Sequence, residues 1–391
     1  MIVYVHIRKR WFTRGGIILI FKNAEVFYNK GFHKADIKIK GDRITEIGEN
    51  LQGDETIDLD GKMLLPGFID LHSHGREGLD FSTATSEEMA KLRLSYAEIG
   101  VTSILATSMT MGFEITENIM KNIRQAIKAN TPGSRILGIN MEGPFLGADR
   151  KGCHDGHYLL PPDQKAFENW DALSGGNVKM VDIDPNLPGS MEFIKKNSKS
   201  KVISLAHTSA DYETACEAVK AGATHVTHMF NAMNGLHHRD PGIIGMAYDY
   251  PVNAELICDG IHIHPTVIRM MFDLMGDRLV IVSDSMSAAG LGNGEYELGG
   301  LKVFVKDRKA TLAGGTIAGS TTNVFEEVAN VIRFGVPKEK AILSATLIPA
   351  KAIHADHEVG EIAVGKKADL LIVSPDFKLE QVYISGEVFQ R

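Results

Sequence analysis

Hydrophobic and polar positions along the 391-residue chain fall into two textures. From Gly16 to Lys62, short apolar runs (Ile17 to Phe21, Ala35 to Ile39, Ile44 to Ile47 and Glu55 to Leu59) are split by turn signals at Gly41-Asp42 and Asp60-Gly61. That pattern predicts a small β module. It returns at the other end, in Ala368 to Val373 and Val382 to Phe389. Two β-rich ends around a different middle predict one small β-sandwich made by both termini, residues 17–63 and 356–391. Met1 to Gly16 is basic and aromatic, and its apolar part precedes Arg8-Lys9-Arg10. This is the reverse of a secretory signal, so residues 1–16 read as an N-terminal extension.

Between Leu64 and Ala355 strand-like apolar runs alternate with longer stretches of helical spacing, the signature of βα units on a parallel sheet. The runs are Leu64 to Leu71, Thr102 to Ala106, Ile136 to Met141, Val178 to Ile183, Val202 to Ala206, His225 to Thr227, Asn253 to Cys258 and Leu279 to Ser283. Eight of them predict a (β/α)8 TIM-like barrel over residues 64–355. An open, doubly wound sheet is the structural competitor, but no glycine-rich dinucleotide fingerprint follows the first run.

A barrel of this kind carries its chemistry at the carboxyl ends of its strands, and polar residues fall there. His72 and His74 end the first run, Glu142 the third, His207 the fifth, His228 the sixth, Asp259 and His262 the seventh, and Asp284 the eighth. In an extended chain positions i and i+2 share a face, so His72 and His74 present paired imidazoles suited to a divalent metal. Singly, each histidine reads as a hydrogen-bonded core or loop residue and Glu142 as a loop acid. Five such groups at four strand ends read instead as a ligand set for Zn, Fe or Mn. Asp284 has two readings, a proton acceptor beside an activated water or a cap on the following helix.

Composition narrows the function class. The chain is 44% hydrophobic and 23% charged, with a formal net charge of -7. No block of Lys and Arg with interleaved aromatics is present, and no apolar segment approaches the roughly 20 residues of a membrane span, so neither nucleic acid nor membrane is expected as a partner. Cys153, Cys216 and Cys258 lie far apart without a CxxC pair, which suits a reducing cytoplasm.

Six segments then stand out in order: Pro66-Gly67-Phe68-Ile69-Asp70-Leu71-His72-Ser73-His74-Gly75, Glu142-Gly143-Pro144-Phe145, Lys151-Gly152-Cys153-His154, His228-Met229-Phe230-Asn231-Ala232-Met233, Asp259-Gly260-Ile261-His262 and Ser283-Asp284-Ser285-Met286-Ser287-Ala288-Ala289-Gly290. Together they resemble the N-acetylglucosamine-6-phosphate deacetylase family of the amidohydrolase superfamily, from about Ile17 to Val388. The resemblance implies metal-dependent hydrolysis of a sugar-phosphate acetamide, with one or two divalent ions per subunit. It implies Glu142, His207 and His228 as metal ligands, His72 and His74 as the pair some members use for a second ion, and Asp284 as catalytic acid/base. Cys153 and His154 match the turn that meets the substrate, with His154 polarising the acetamide carbonyl. Asn231 and Ala232 match sugar-phosphate contacts, as do Asp259, Gly260, Ile261 and His262. Arg239 and His262 resemble the phosphate holders, and Ile317, Ala318 and Gly319 a further substrate loop. In the family the arginine comes from a neighbouring subunit, so a homodimer is implied.

Two departures from the family pattern are visible. The fourth run ends in Asp182-Ile183-Asp184-Pro185-Asn186 where relatives show Ala-Pro-Glu, and Cys153 stands where a smaller residue is usual. Rival readings are a deacetylase for the galacto epimer, a cyclic-amide hydrolase and a non-catalytic barrel. The cyclic-amide reading wants a carboxylated lysine late in the fourth strand, where Lys179 sits too early. The non-catalytic reading conflicts with the intact ligand set.

Overall fold

The computed structural model describes residues 16–389. The extension read at 1–16 lies outside them apart from Gly16. Eight parallel strands form one sheet: β1 (Phe68–Asp70), β2 (Val101–Ser108), β3 (Arg135–Met141), β4 (Val178–Ile183), β5 (Val202–Leu205), β6 (His225–Val226), β7 (Asn253–Leu256) and β8 (Leu279–Ile281), each paired with the next. A helix follows every strand, from Ser86–Glu98 after β1 to Val324–Arg333 after β8. The (β/α)8 barrel expected from the alternating texture is therefore present.

Strands β1 and β8 share no direct ladder, and the seam between them is closed in another way. The Ile69 and Ile281 N–H groups donate to Ala345 O and Ser344 O, each at 2.9 Å, so one short segment wedges between the two strands. Toward the carboxyl ends, Asp284 N–H donates to His72 O at 2.9 Å and Ser73 bridges Ser285. The buried Asp70 carboxylate accepts from the Ser283 N–H at 3.3 Å and from its hydroxyl. Backbone groups that a gap would leave unpaired are thus satisfied.

The first apolar run proves to be two strands. Met63–Pro66 pairs with Leu370–Val373 in the small sheet, and the chain enters the barrel only at Phe68. The division placed at 63/64 therefore falls inside a strand of the small sheet. Both sides of the handover are buried, so hydrophobicity shows no dip there. The break is at Gly67, where a Cβ would stand 2.1 Å from Thr102 Oγ1.

The chain ends build one hydrogen-bonded sheet whose order is Glu387–Phe389, Leu379–Ile384, Leu370–Val373, Met63–Pro66, Ile18–Tyr28, Gly31–Lys40 and Arg43–Gly48, with Glu55–Asp58 also on Ile18–Tyr28. It folds on itself: Gly365 N–H donates to Ile44 O and Ala368 N–H to Asp42 O. Alternation then divides the C-terminal strands. Leu370 and Ile372 face the small core, while Leu371 and Val373 face the barrel.

A three-stranded insertion after β8, Gly294–Leu298, Leu301–Lys306 and Lys309–Leu312, was not apparent in the sequence. Its Leu298, Val303 and Val305 pack with Met109 and Met286 over the barrel mouth. Ser320 then returns beside Asp284 (N–H to Asp284 O, 2.7 Å), bringing the preceding loop to the mouth.

Candidate metal centre and active site

The groups predicted at the strand ends converge. Glu142 is buried after β3, and its Oε1 lies 3.0 Å from His207 Nε2 after β5 and 3.1 Å from His228 Nε2 after β6. The two imidazole nitrogens are 3.2 Å apart, which completes a nearly equilateral triangle. A second trio, His72, His74 and Asp284, stands beside the first. There His74 Nε2 is 3.4 Å and His72 Nε2 3.8 Å from Asp284 Oδ1. Glu142 joins the trios, with Oε1 3.5 Å from His72 Nε2 and Oε2 3.1 Å from His74 Nε2.

Local backbone aims these side chains. His207, His228 and Asp284 each take a positive φ, of 44°, 25° and 46°, directly after their strands. Left-handed conformations cost non-glycine residues on the order of 1–3 kcal/mol each and cluster at functional sites. Here they turn the chain inward after β5, β6 and β8.

Hydrogen bonds decide what the donor set fits. His207 Nδ1 lies 2.8 Å from Arg150 O, and a carbonyl only accepts, so Nδ1 carries the hydrogen and Nε2 presents a lone pair toward Glu142 and His228. A buried carboxylate and a lone pair so close repel unless a cation lies between them. Ligand atoms about 2.0–2.2 Å from a tetrahedral ion sit close to the observed spacing. His72 Nε2, buried and without a hydrogen-bond partner, faces the same place. These buried clusters suit a divalent ion.

Electrostatics agree with this. Burial opposes the Glu142 carboxylate, yet the surrounding imidazoles together outweigh it and hold the group well below its ordinary pKa. Asp284 is likewise kept low, with the His74 hydrogen bond overcoming burial. Burial pulls His154 down to about 4 against Glu142, which leaves the ring neutral. Its Nδ1 accepts the Thr110 N–H at 3.4 Å, so Nε2 bears the hydrogen and points at the site, 3.4 Å from Glu142 Oε2. That tautomer makes His154 a donor and not a ligand. Burial pushes the Cys153 thiol up, so it lines the cavity uncharged.

A cavity of ≈310 Å³ opens on these groups, lined by His74, Glu142, Cys153, His207, His228, Asn231, Ala232, His262, Asp284, Ile317 and Gly319. Gly319 has φ 60°, and a Cβ there would come 3.1 Å from Asp284 O, which accounts for glycine.

Other sequence-predicted residues fall elsewhere. Asp259 turns from the cavity to accept from the Ile261 and His262 N–H groups and from His262 Nδ1, all at 2.8 Å. It orients His262 and does not line the cavity; neither do Gly260 and Ile261. Ala318 is buried in the insertion's core. Arg239 is exposed outside the cavity, its guanidinium 2.7 Å from His238 Nε2. In the divergent segment after β4, Asp184 accepts the Asn186 N–H at 2.9 Å and closes a turn.

Sequence reasoning missed three residues. Gly152 and Phe230 line the cavity, as does Thr316 in the substrate loop read around Ile317 to Gly319. Glu255, fully buried within β7, meets His72 and His225. Its signal was a lone acid inside the apolar run Asn253 to Cys258.

Comparison with known proteins bears on the whole chain. The Amidohydrolase family model matches residues 63–389. N-acetylglucosamine-6-phosphate deacetylase of Bacillus subtilis is 36% identical over 334 residues, covering 83% of this chain and 84% of that protein. The human protein of that name is 33% identical over 394 residues, covering 96% of each. The crystal structure of N-acetylglucosamine-6-phosphate deacetylase from Pasteurella multocida superimposes with a TM-score of 0.91 at 28% identity, covering 96% of this chain and 100% of that one. With a barrel and the converging side chains of Glu142, His207, His228 and Asp284 already in view, the chain belongs to the amidohydrolase family and, within it, to the N-acetylglucosamine-6-phosphate deacetylases.

Proposed function

We propose that this chain hydrolyses the acetamide of N-acetyl-D-glucosamine 6-phosphate to D-glucosamine 6-phosphate and acetate. The observation that carries the reading is the convergence of Glu142, His207 and His228 with Asp284 and His154 on one cavity. Glu142, His207 and His228 are the residues that would hold a divalent ion, Zn, Fe or Mn, with His72, His74 and Asp284 offering a second place bridged by Glu142. Such an ion supplies Lewis acidity, lowering the pKa of a water and polarising a carbonyl.

The chain's own groups do the rest. Asp284, held ionised, accepts the proton of the attacking water and returns it to the departing sugar amine. His154 donates its Nε2–H to the carbonyl oxygen as charge develops there. Asn231, Ala232, Cys153, Ile317 and Gly319 wall the sugar. His262, oriented by Asp259, faces the phosphate.

Arg239 completes the phosphate site of a second copy in a homodimer. Exposure of the arginine away from its own cavity supports this, as does an exposed apolar patch nearby that includes Leu236, Tyr248 and Leu274. A planar fork of permanently charged donors suits phosphate. The compartment on this reading is the cytoplasm. Among the described residues no helix is long and apolar enough to cross a membrane.

Acetate release from N-acetylglucosamine 6-phosphate, measured with and without chelator beside the galacto epimer, tests the reading. Chelator-sensitive turnover of the gluco substrate is expected. Preference for the galacto epimer would reassign the substrate, and no turnover of either would reject the reading.

A further inference from the structure

Among the described acids buried below the barrel mouth, Glu255 is the one whose hydrogen bonds reach both trios. It lies in β7 between Ala254 and Leu256 with no exposed surface. A charge buried this deeply persists only where hydrogen bonds replace its lost water. Three donors do so here. Oε2 lies 3.1 Å from His72 Nδ1 and accepts the His228 backbone N–H, also at 3.1 Å, while Oε1 lies 3.2 Å from His225 Nε2.

The consequence for His72 follows from which atom can hold a proton. An ionised carboxylate only accepts, so His72 Nδ1 must be the donor, and Nε2, facing Glu142 and Asp284, is the ring atom left to hold an ion. The Asn140 amide nitrogen lies 3.5 Å from the same Nδ1. The carboxylate is closer and charged, and it prevails. One oxygen thus grips the ring of a member of the second trio and the backbone of a member of the first, His228, at its positive φ of 25°.

We infer that Glu255 is a positioning residue that fixes the tautomer and ring angle of His72 and, through the His228 N–H, ties the two trios into one binuclear metal centre. The inference rests on the metal centre proposed above and not on the identity of the substrate. A carboxylate behind a ligating imidazole orients the ring and raises its basicity, and losing such a partner costs 10- to 100-fold in metal affinity or activity as an order of magnitude.

Titration of the metal-stripped protein with Co²⁺, followed by visible absorption and by elemental analysis after dialysis, tests it without substrate. The unsubstituted protein should take two equivalents. Glu255→Gln, the same shape with one acceptor replaced by a donor, should weaken the second equivalent by about 10- to 100-fold, with a smaller loss at the first. In a His72→Asn background the same substitution should weaken the second equivalent no further, because its target is gone. A Glu255→Gln protein with wild-type affinity for both equivalents overturns the inference, as do independent, additive losses in the double variant. A single equivalent in the unsubstituted protein overturns it too.

Should the variants not fold, ¹⁵N-histidine NMR of the unsubstituted protein decides. A hydrogen on His72 Nδ1 is expected, and an Nδ1 without one overturns the inference. Deacetylase activity is assayed separately. A protein that binds two Co²⁺ in a Glu255-dependent manner but releases no acetate would reject the substrate and keep the inference.

Discussion

The two trios at the barrel mouth share a carboxylate and differ in how tightly their geometry is set. Glu142, His207 and His228 follow β3, β5 and β6 of one continuous ladder and hold their side-chain atoms 3.0–3.2 Å apart. His72, His74 and Asp284 come from the two sides of the seam where no direct ladder runs, and their spacing to Asp284 is 3.4–3.8 Å. A continuous sheet fixes side chains more closely than a seam stitched by Asp70, Ser73, Ser283 and Ser285. The looser trio is also the one that holds Asp284, the acid/base of the proposed reaction.

The largest test of that contrast is Glu142→Gln, which removes the group common to both trios. Metal content measured by elemental analysis should fall to near zero, and acetate release should drop by more than the roughly 10⁴-fold upper range for one lost acid/base group. Retention of one tightly bound equivalent would break the shared-bridge reading. Next comes Asp284→Asn, where kcat should fall about 10²- to 10⁴-fold while the ion on the tighter trio stays. Near-normal turnover would remove Asp284 from the proton transfers.

The double variant His72→Asn/His74→Asn separates the trios directly. One equivalent should be lost and the other kept, with turnover down roughly 10²-fold, by analogy with losses from disturbed metal sites. A single equivalent at full activity in the unsubstituted protein would leave the looser trio without a role as ligands. The smallest effect is expected at Arg239, which belongs to neither trio. Arg239→Ala should raise KM roughly 10- to 100-fold, matching the approximately 1.5–3 kcal/mol of a hydrogen bond to a charged group, with kcat little changed. Mixing Arg239→Ala subunits with Asp284→Asn subunits should restore activity to part of the population if the arginine crosses to a partner. An additive mixture would show that it does not.

Much of this could be read before any coordinates. Eight apolar runs ending in polar groups imposed a cylinder with one active mouth, and Glu142, His207, His228 and Asp284 were legible because each follows its strand immediately. The handover at Gly67 was hidden because hydrophobicity reports burial and not which core does the burying. The insertion from Gly294 to Leu312 was hidden because its strands are short and half-exposed. Asp259, Gly260 and Ile261 looked like contacts since they surround His262, yet a turn spends the Asp259 oxygens on its own backbone and ring.

The sequence by itself determined the kinds of chemistry present and their order along the chain, because apolar periodicity and the residue at each strand end are local properties. Only the tertiary structure decided which atom of each ring bears a hydrogen, that one carboxylate serves both trios, and that Glu255 stands behind them. Those facts depend on distances between residues up to 183 positions apart, and hydrogen-bond direction is settled by the partner that folding supplies.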